Sequence, residues 1–280
     1  MMKKEKVWLV TGASKGFGFE ITKAILESGD KVIATVRKDP EKLMSSLNNN
    51  PNLLVVEMDV TDQKQVDEAV AKGLAKFKRL DVVVNNAGFG ILGAIEEISN
   101  EEAKKQYDTN VFGVLNVIRA TLPQMRKQKS GHIINFSSLF GYDTIPGYAL
   151  YGTTKFAVEG ISNGLAKEVV AFGIKVTALA PGLFRTNFLD AGSYIKAKNN
   201  IKDYDNTIVG EMKSSPEQLH GNQAGAPAKL GKVVVELGNL DNPPLHLPVG
   251  LDSLASFRKG FAETSRDIED WVGKFTATEV

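Results

Sequence analysis

The chain has 280 residues, with 34 Lys and Arg against 33 Asp and Glu, three histidines and no cysteine. A formal net charge of +1 gives no global field to attract nucleic acid or an anionic membrane, and the missing cysteines exclude disulfides, thiolate metal sites and a cysteine nucleophile. His132, His220 and His246 stand far apart in sequence, which argues against a histidine metal site, and the length suits one α/β domain spanning 1–280 with a single sizeable core.

In chain order, short apolar runs alternate with helix-length amphipathic stretches. Val7–Val10 is far too short for a signal-peptide core or a membrane span, so a soluble, reducing, cytoplasmic setting is expected. With Val32–Val36, Leu53–Val56, Val82–Val84, His132–Phe136, Ile174–Leu179 and Leu245–Val249 it reads as a strand, nearly all apolar as doubly covered parallel strands are. Helices are predicted over roughly 16–28, 40–48, 62–77, 101–128, 151–172 and 226–238, with a terminal helix from about Asp252; Thr61-Asp62 and Ser99-Asn100 are N-cap candidates. Repeated βα units of this kind predict a Rossmann-type, doubly wound parallel sheet with helices on both faces. The alternation blurs after Thr186. Residues 187–225 read as a substrate-loop insertion, partly mobile rather than part of the core, and 226–280 as a closing helix, strand and helix.

The first strand runs into Thr11-Gly-Ala-Ser-Lys-Gly-Phe-Gly18, which opens the first helix. There backbone N–H groups and the helix dipole can meet a pyrophosphate, and Gly12, Gly16 and Gly18 keep side chains out of its way, with Ser14, Lys15 and Phe17 between them. The G-x-x-x-G-x-G spacing departs from the G-x-G-x-x-G of other dinucleotide folds. At the end of the second strand an acidic residue would grip ribose hydroxyls, whereas Arg37, followed by Lys38, accommodates the extra phosphate of NADP; Asp39 is the competing carboxylate. NADP(H) is therefore expected, with NAD(H) the lesser choice. Asp59-Val60, Asn85-Asn86-Ala87-Gly88 and Pro181-Gly182-Leu-Phe184-Arg-Thr186 follow the third, fourth and sixth strands, at the carboxyl edge where ligands bind in such sheets.

Ser138, Tyr151 and Lys155 form a proton-transfer set. Reduction of a carbonyl needs hydride on one side and a positioned acid on the other. Tyr151 and Lys155 share a helix face, and a nearby ammonium favours the phenolate, while Ser138 can hold the substrate oxygen in the manner of an oxyanion stabiliser. Ser137 is the alternative hydroxyl, and strand alternation allows only one of the two to serve. Tyr194 and Lys198 repeat the Y-x-x-x-K spacing, but in the irregular insertion and with Pro181 where a serine would be needed, so Tyr151 is chosen.

Over residues 6–186 this order of motifs resembles the short-chain dehydrogenase/reductase family. The resemblance implies a seven-stranded sheet, Asp59 at the adenine amino group, Asn85–Gly88 shaping the cofactor channel, Thr186 at the nicotinamide carboxamide, and Asn110 holding a water that connects Lys155 to solvent. It also selects Ser138 over Ser137 and implies a homodimer or homotetramer through the helices near 101–128 and 151–172. The tail around Asn242–Gly250 is similar to a bacterial branch grouped with 17β-hydroxysteroid dehydrogenase-like members. Three residues between Tyr151 and Lys155 argue against the enoyl reductases.

The pocket is expected to be walled by Phe89, Ile91 and Leu92, by Leu139, Phe140, Tyr142, Ile145 and Tyr148, and by Leu183, Phe184, Phe188 and Leu189, which suits a small hydrophobic ketone, aldehyde or alcohol. An NADPH-dependent carbonyl reductase or alcohol dehydrogenase is the leading reading. A hydroxysteroid dehydrogenase, a superfamily epimerase or dehydratase, and a non-catalytic NADP redox sensor are the alternatives. No nucleic-acid or membrane partner and no metal is expected.

Overall fold

The computed structural model describes residues 5–185, 194–219 and 223–275. In chain order the elements are β1 (Val7–Val10), α1 (Gly16–Glu27), β2 (Lys31–Val36), α2 (Pro40–Ser46), β3 (Leu53–Glu57), α3 (Gln63–Phe77), β4 (Val82–Asn85), β5 (Gly90–Leu92), α4 (Asn100–Tyr107), α5 (Gly113–Gln128), β6 (Gly131–Phe136), α6 (Ala149–Val169), β7 (Ile174–Pro181), β8 (Tyr194–Lys196), α7 (Ile208–Leu219), α8 (Pro227–Leu237), β9 (His246–Val249) and α9 (Leu251–Phe275).

Seven strands form one parallel sheet in the order β3-β2-β1-β4-β6-β7-β9. Side-chain alternation divides each strand between two cores. Leu9, Ile33, Val83, Ile133 and Val176 pack under α3, α5 and α6, through Val66, Val117 and Val158. Trp8, Val32, Val84, Ile134 and Leu179 pack under α1, α2 and α8, through Ile21, Leu43 and Val234. Both faces are thus covered, which is why the strands carry almost no polar residue. The chain reverses its direction of travel across the sheet between β1 and β4, and the crevice at that switch point lies beyond their carboxyl ends.

Two expectations change. The helix predicted over 101–128 is α4 and α5 joined by a π turn at Asp108–Phe112. The insertion contributes structure of its own: β8 pairs in parallel with β5, Gly90 opposite Tyr194. Two buried carboxylates hold it. Glu97 accepts from the Ala94 and Ile201 amides and from Lys213 Nζ, at 2.9, 2.9 and 2.6 Å, while Glu102 accepts from the Ser99 and Lys198 amides, both at 3.0 Å. Burial opposes these charges, but the donors win, and both carboxyls stay below their ordinary range.

Candidate functional site

The glycine turn is knitted to the end of β4. Thr11 Oγ1 accepts from the amides of Asn86 and Ala87, and Asn86 Nδ2 donates back to the carbonyls of Thr11 and Gly12. Gly12 has φ +68°, which favours glycine, and a Cβ on Gly18 would come within 2.2 Å of Gly12 O. The N-cap residue Lys15 supplies no capping side chain, so the first-turn amides of α1 keep the arrangement in which a helix N-terminus takes an anion.

Above this turn lies a cavity of about 1040 Å³. Gly12, Ser14, Lys15, Gly16, Phe17, Arg37, Asp59, Val60, Asn86, Ala87, Gly88, Pro181, Gly182 and Phe184 line it, as do Ser138, Tyr151 and Lys155. Gly18 lies behind the turn, Asn110 lies behind Gly88, and Thr186 falls outside the described residues. Lys15, Arg37, Lys38 and Lys42 bring four cations to the cavity beside Asp39, and Asp39 precedes Pro40 in a left-handed conformation. A glycine cradle, an uncapped helix start and a cationic rim fit a dinucleotide carrying a terminal phosphate. Asp59 Oδ1 accepts from the amide and hydroxyl of Thr61, which fixes its carboxylate at the end of β3.

The proton-handling groups sit where β6 and α6 meet the cavity. Ser138 follows β6 by two residues and caps a short 3₁₀ turn at Leu139–Gly141, its Oγ accepting from the Phe140 amide at 3.2 Å. It also hydrogen-bonds to Tyr151 in the first turn of α6. Lys155 follows one turn on, its Nζ 5.5 Å from the Tyr151 ring centre and donating to Phe136 O at 2.7 Å. All three side chains are buried. Burial drives the Tyr151 phenol well above its ordinary value, and Ser138 pulls it back only in part. Burial also lowers Lys155 to about 8, against the attraction of Glu159. Desolvation, rather than the ammonium expected from the sequence, therefore dominates the phenol.

Asn110 is held by the π turn. Its Nδ2 donates to Phe89 O at 2.8 Å and Thr154 Oγ1 at 3.1 Å, and its Oδ1 accepts from Phe89 N at 3.0 Å. A Cβ on Gly88 would lie 3.1 Å from that oxygen and 3.9 Å from Lys155 Nζ, so the absence of a side chain there leaves Asn110 and Lys155 in proximity.

The expected walls are realised in part. Phe89, Leu139, Phe140, Tyr148, Leu183 and Phe184 line the cavity; Ile91 and Leu92 lie behind it. Tyr142 turns away: its hydroxyl meets Glu159 and His246 and its ring meets Phe257 of α9. Phe188 and Leu189 fall outside the described residues. Several lining residues, among them Lys42, Met58, Tyr194 and Gln223, escaped the sequence reading. Tyr194 joins Leu92, Phe140, Tyr148 and Tyr151 in a buried cluster, although its motif context had counted against it. Gln223, which no motif marks, also lines the cavity. Among the described residues no acidic or histidine cluster could hold a metal, and no helix is long and apolar enough to cross a membrane.

The family model for short chain dehydrogenase matches residues 6–193. Oxidoreductase BOA17 of Botryotinia fuckeliana is 41% identical over 268 residues, covering 95% of this chain and 96% of that protein. The 3-ketodihydrosphingosine reductase of Bacteroides thetaiotaomicron is 39% identical, covering 88% of each. The solved structure of ElxO with NADP bound superposes with a TM-score of 0.75 at 32% identity, covering 90% of this chain and all of that one (100%).

Proposed function

The chain belongs to the short-chain dehydrogenase family of NAD(P)-dependent oxidoreductases, and on that premise we propose that it is an NADP(H)-dependent carbonyl reductase, or alcohol dehydrogenase in reverse, acting on hydrophobic ketones or aldehydes. One observation carries the reading: the Tyr151 phenol, the Ser138 hydroxyl and the Lys155 ammonium line the same cavity as the glycine turn and the Arg37 rim. When bound, the nicotinamide supplies the hydride in reduction and accepts it in oxidation. Tyr151 gives its proton to the developing alkoxide, or takes one from an alcohol. Ser138 donates to the same oxygen and holds it against the phenol. Lys155, charged below about pH 8, restores the attraction that burial takes from the phenolate. Asn110, Gly88 and Phe89 fix the backbone beside the lysine, where a water can lead its proton outward.

The four cations at the rim and the NADP found in ElxO support NADP(H) over NAD(H). The aromatic wall of Phe140, Tyr148 and Tyr194 supports an apolar substrate, as does the likeness to a protein named for reducing 3-ketodihydrosphingosine. Exposed Phe112 and Phe156 on the long helices support self-association as a homodimer or homotetramer, and a cytoplasmic setting completes the reading.

The test follows nicotinamide absorbance with NADPH and NADH in parallel against aryl ketones, keto esters, aldehydes, steroid ketones and long-chain 3-keto amines. NADPH consumption that falls at least about a hundredfold in Tyr151→Phe is the expected result. Turnover undiminished in that variant would overturn the mechanism.

A further inference from the structure

The titratable groups that this chemistry leaves unused gather behind Lys155. Glu159 follows the lysine by one turn of α6 and is buried, 7% exposed. From the turn after β6, Tyr142 donates its hydroxyl to Glu159 Oε2. From β9, His246 brings Nδ1 to 2.9 Å from the same oxygen and 2.9 Å from the Tyr142 hydroxyl. Glu159 Oε1 is buried without a hydrogen-bond partner among the described residues, and so is Ser137 Oγ. The two side chains converge on Gly141, where a Cβ would lie 2.5 Å from Ser137 Oγ and 3.4 Å from Glu159 Cγ.

Lys155 shows the complementary deficit. Its ammonium is buried against a neutral carbonyl, Phe136 O, and makes no ion pair among the described residues. From α9, the rings of Phe257 and Phe261 pack on Tyr142, and Lys259 is bound to Asp143 at 2.7 Å. A buried cation with one neutral acceptor is stabilised by the nearest buried carboxylate, even without contact, because little water lies between them to screen the pair.

We propose that Glu159 is a positioning residue for the reaction: its buried carboxylate, oriented by Tyr142 and His246, holds the charge on Lys155 and so sets the pH range over which that lysine serves Tyr151. This rests on the reading of Tyr151 and Lys155 as the proton-handling pair. Burial pulls Lys155 down to about 8, and Glu159 is the charge that resists it.

A carbon-13 NMR titration of the lysine side chains in the cofactor-free protein tests this, with the Lys155 signal assigned by its loss in Lys155→Met. In Glu159→Gln the Lys155 midpoint should fall by about one pH unit, and Glu159→Asp should restore part of it. A midpoint unmoved in a folded Glu159→Gln overturns the proposal. If that variant does not fold, Glu159→Asp decides: it keeps the charge but draws it back by one methylene, so the midpoint should still fall below that of the parent, and an unmoved one overturns the proposal. The pH dependence of NADPH oxidation gives a second readout, its lysine limb shifting with the titration. Wild-type turnover that survives Tyr151→Phe would remove the underlying reading, whatever the lysine does.

Discussion

Tyr151 and Tyr194 meet across Gly90: a Cβ at that glycine would lie 3.4 Å from Cδ2 of the first ring and 3.3 Å from Cδ2 of the second. The phenol proposed to move the proton therefore shares a buried cluster with a ring from β8, with only a hydrogen atom on Gly90 between the backbone of β5 and both. Gly90→Ala should press the Tyr194 ring back slightly and leave Tyr151 at ordinary contact distance. We expect kcat to fall severalfold while NADPH affinity is kept, because an acid whose neighbouring ring shifts loses alignment rather than binding. Steady-state kinetics with fluorescence-monitored NADPH binding checks this, and an unchanged kcat would show that the rings have room to spare.

Arg37 stands at the end of β2, on the cationic rim of the cavity. Arg37→Asp should weaken NADPH on the order of tenfold or more and leave NADH little changed, since a guanidinium–phosphate pair is replaced by repulsion. The ratio of kcat/KM for the two cofactors is the measurement. An unchanged ratio would take the phosphate away from Arg37.

Lys155 carries a stability consequence of definite sign. The folded state releases its proton at about 8 and the unfolded chain at its ordinary 10.5, so between these values the unfolded state holds more protons and stability rises with pH. Below about pH 8 the whole destabilisation is present. Lys155→Met should then make the protein more stable at pH 7, by roughly 1–3 kcal/mol, while abolishing turnover. Equilibrium urea unfolding gives the comparison, and a variant less stable than the parent would contradict it.

His132 works in the opposite pH range. Thr177 spends its hydroxyl proton on Pro244 O at 2.7 Å, so it accepts at 2.9 Å from His132 Nε2, which must carry the proton. Burial, then the charges of Lys6 and Lys175, lower the ring to about 3 from 6.5. The unfolded chain takes a proton near 6.5 and the folded one does not, so stability is full above pH 6.5. It is lost on acidification towards 3, at about 1.4 kcal/mol per pH unit. His132→Gln should flatten that acid slope in urea titrations at pH 7 and pH 5; an equally steep slope would assign it to other groups.

The sheet was legible because strands covered on both faces must be apolar almost throughout, and Val82–Val84 or Ile133–Ile134 announce themselves. The site was legible wherever a motif sat at a strand end, from Gly12 to Gly182. What escaped was non-local or below the resolution of periodicity. The three-residue strand β8 exists only because β5 waits for it far back in the chain, so Tyr194 looked like a stray copy of a motif. Tyr142 was placed in the wall, yet the 3₁₀ turn before it rotates successive side chains through different directions and delivers this one to Glu159. Asp108–Phe112 is a run of weak helix formers followed by Gly113, a local weakening that the reading of one helix over 101–128 passes over, although composition alone does not distinguish a π turn from a frayed α turn.

That π turn makes the long helix a spacer of fixed residue count. An α-helix advances about 100° per residue, so deleting one residue between Asp108 and Phe112 could restore an unbroken α ladder and spare the sheet. It would still rotate α4 against α5 and carry Asn110 away from Phe89 and Thr154. Substitutions along this helix and single-residue gaps in it are therefore different events: the first trims packing, the second uncouples scaffold from site.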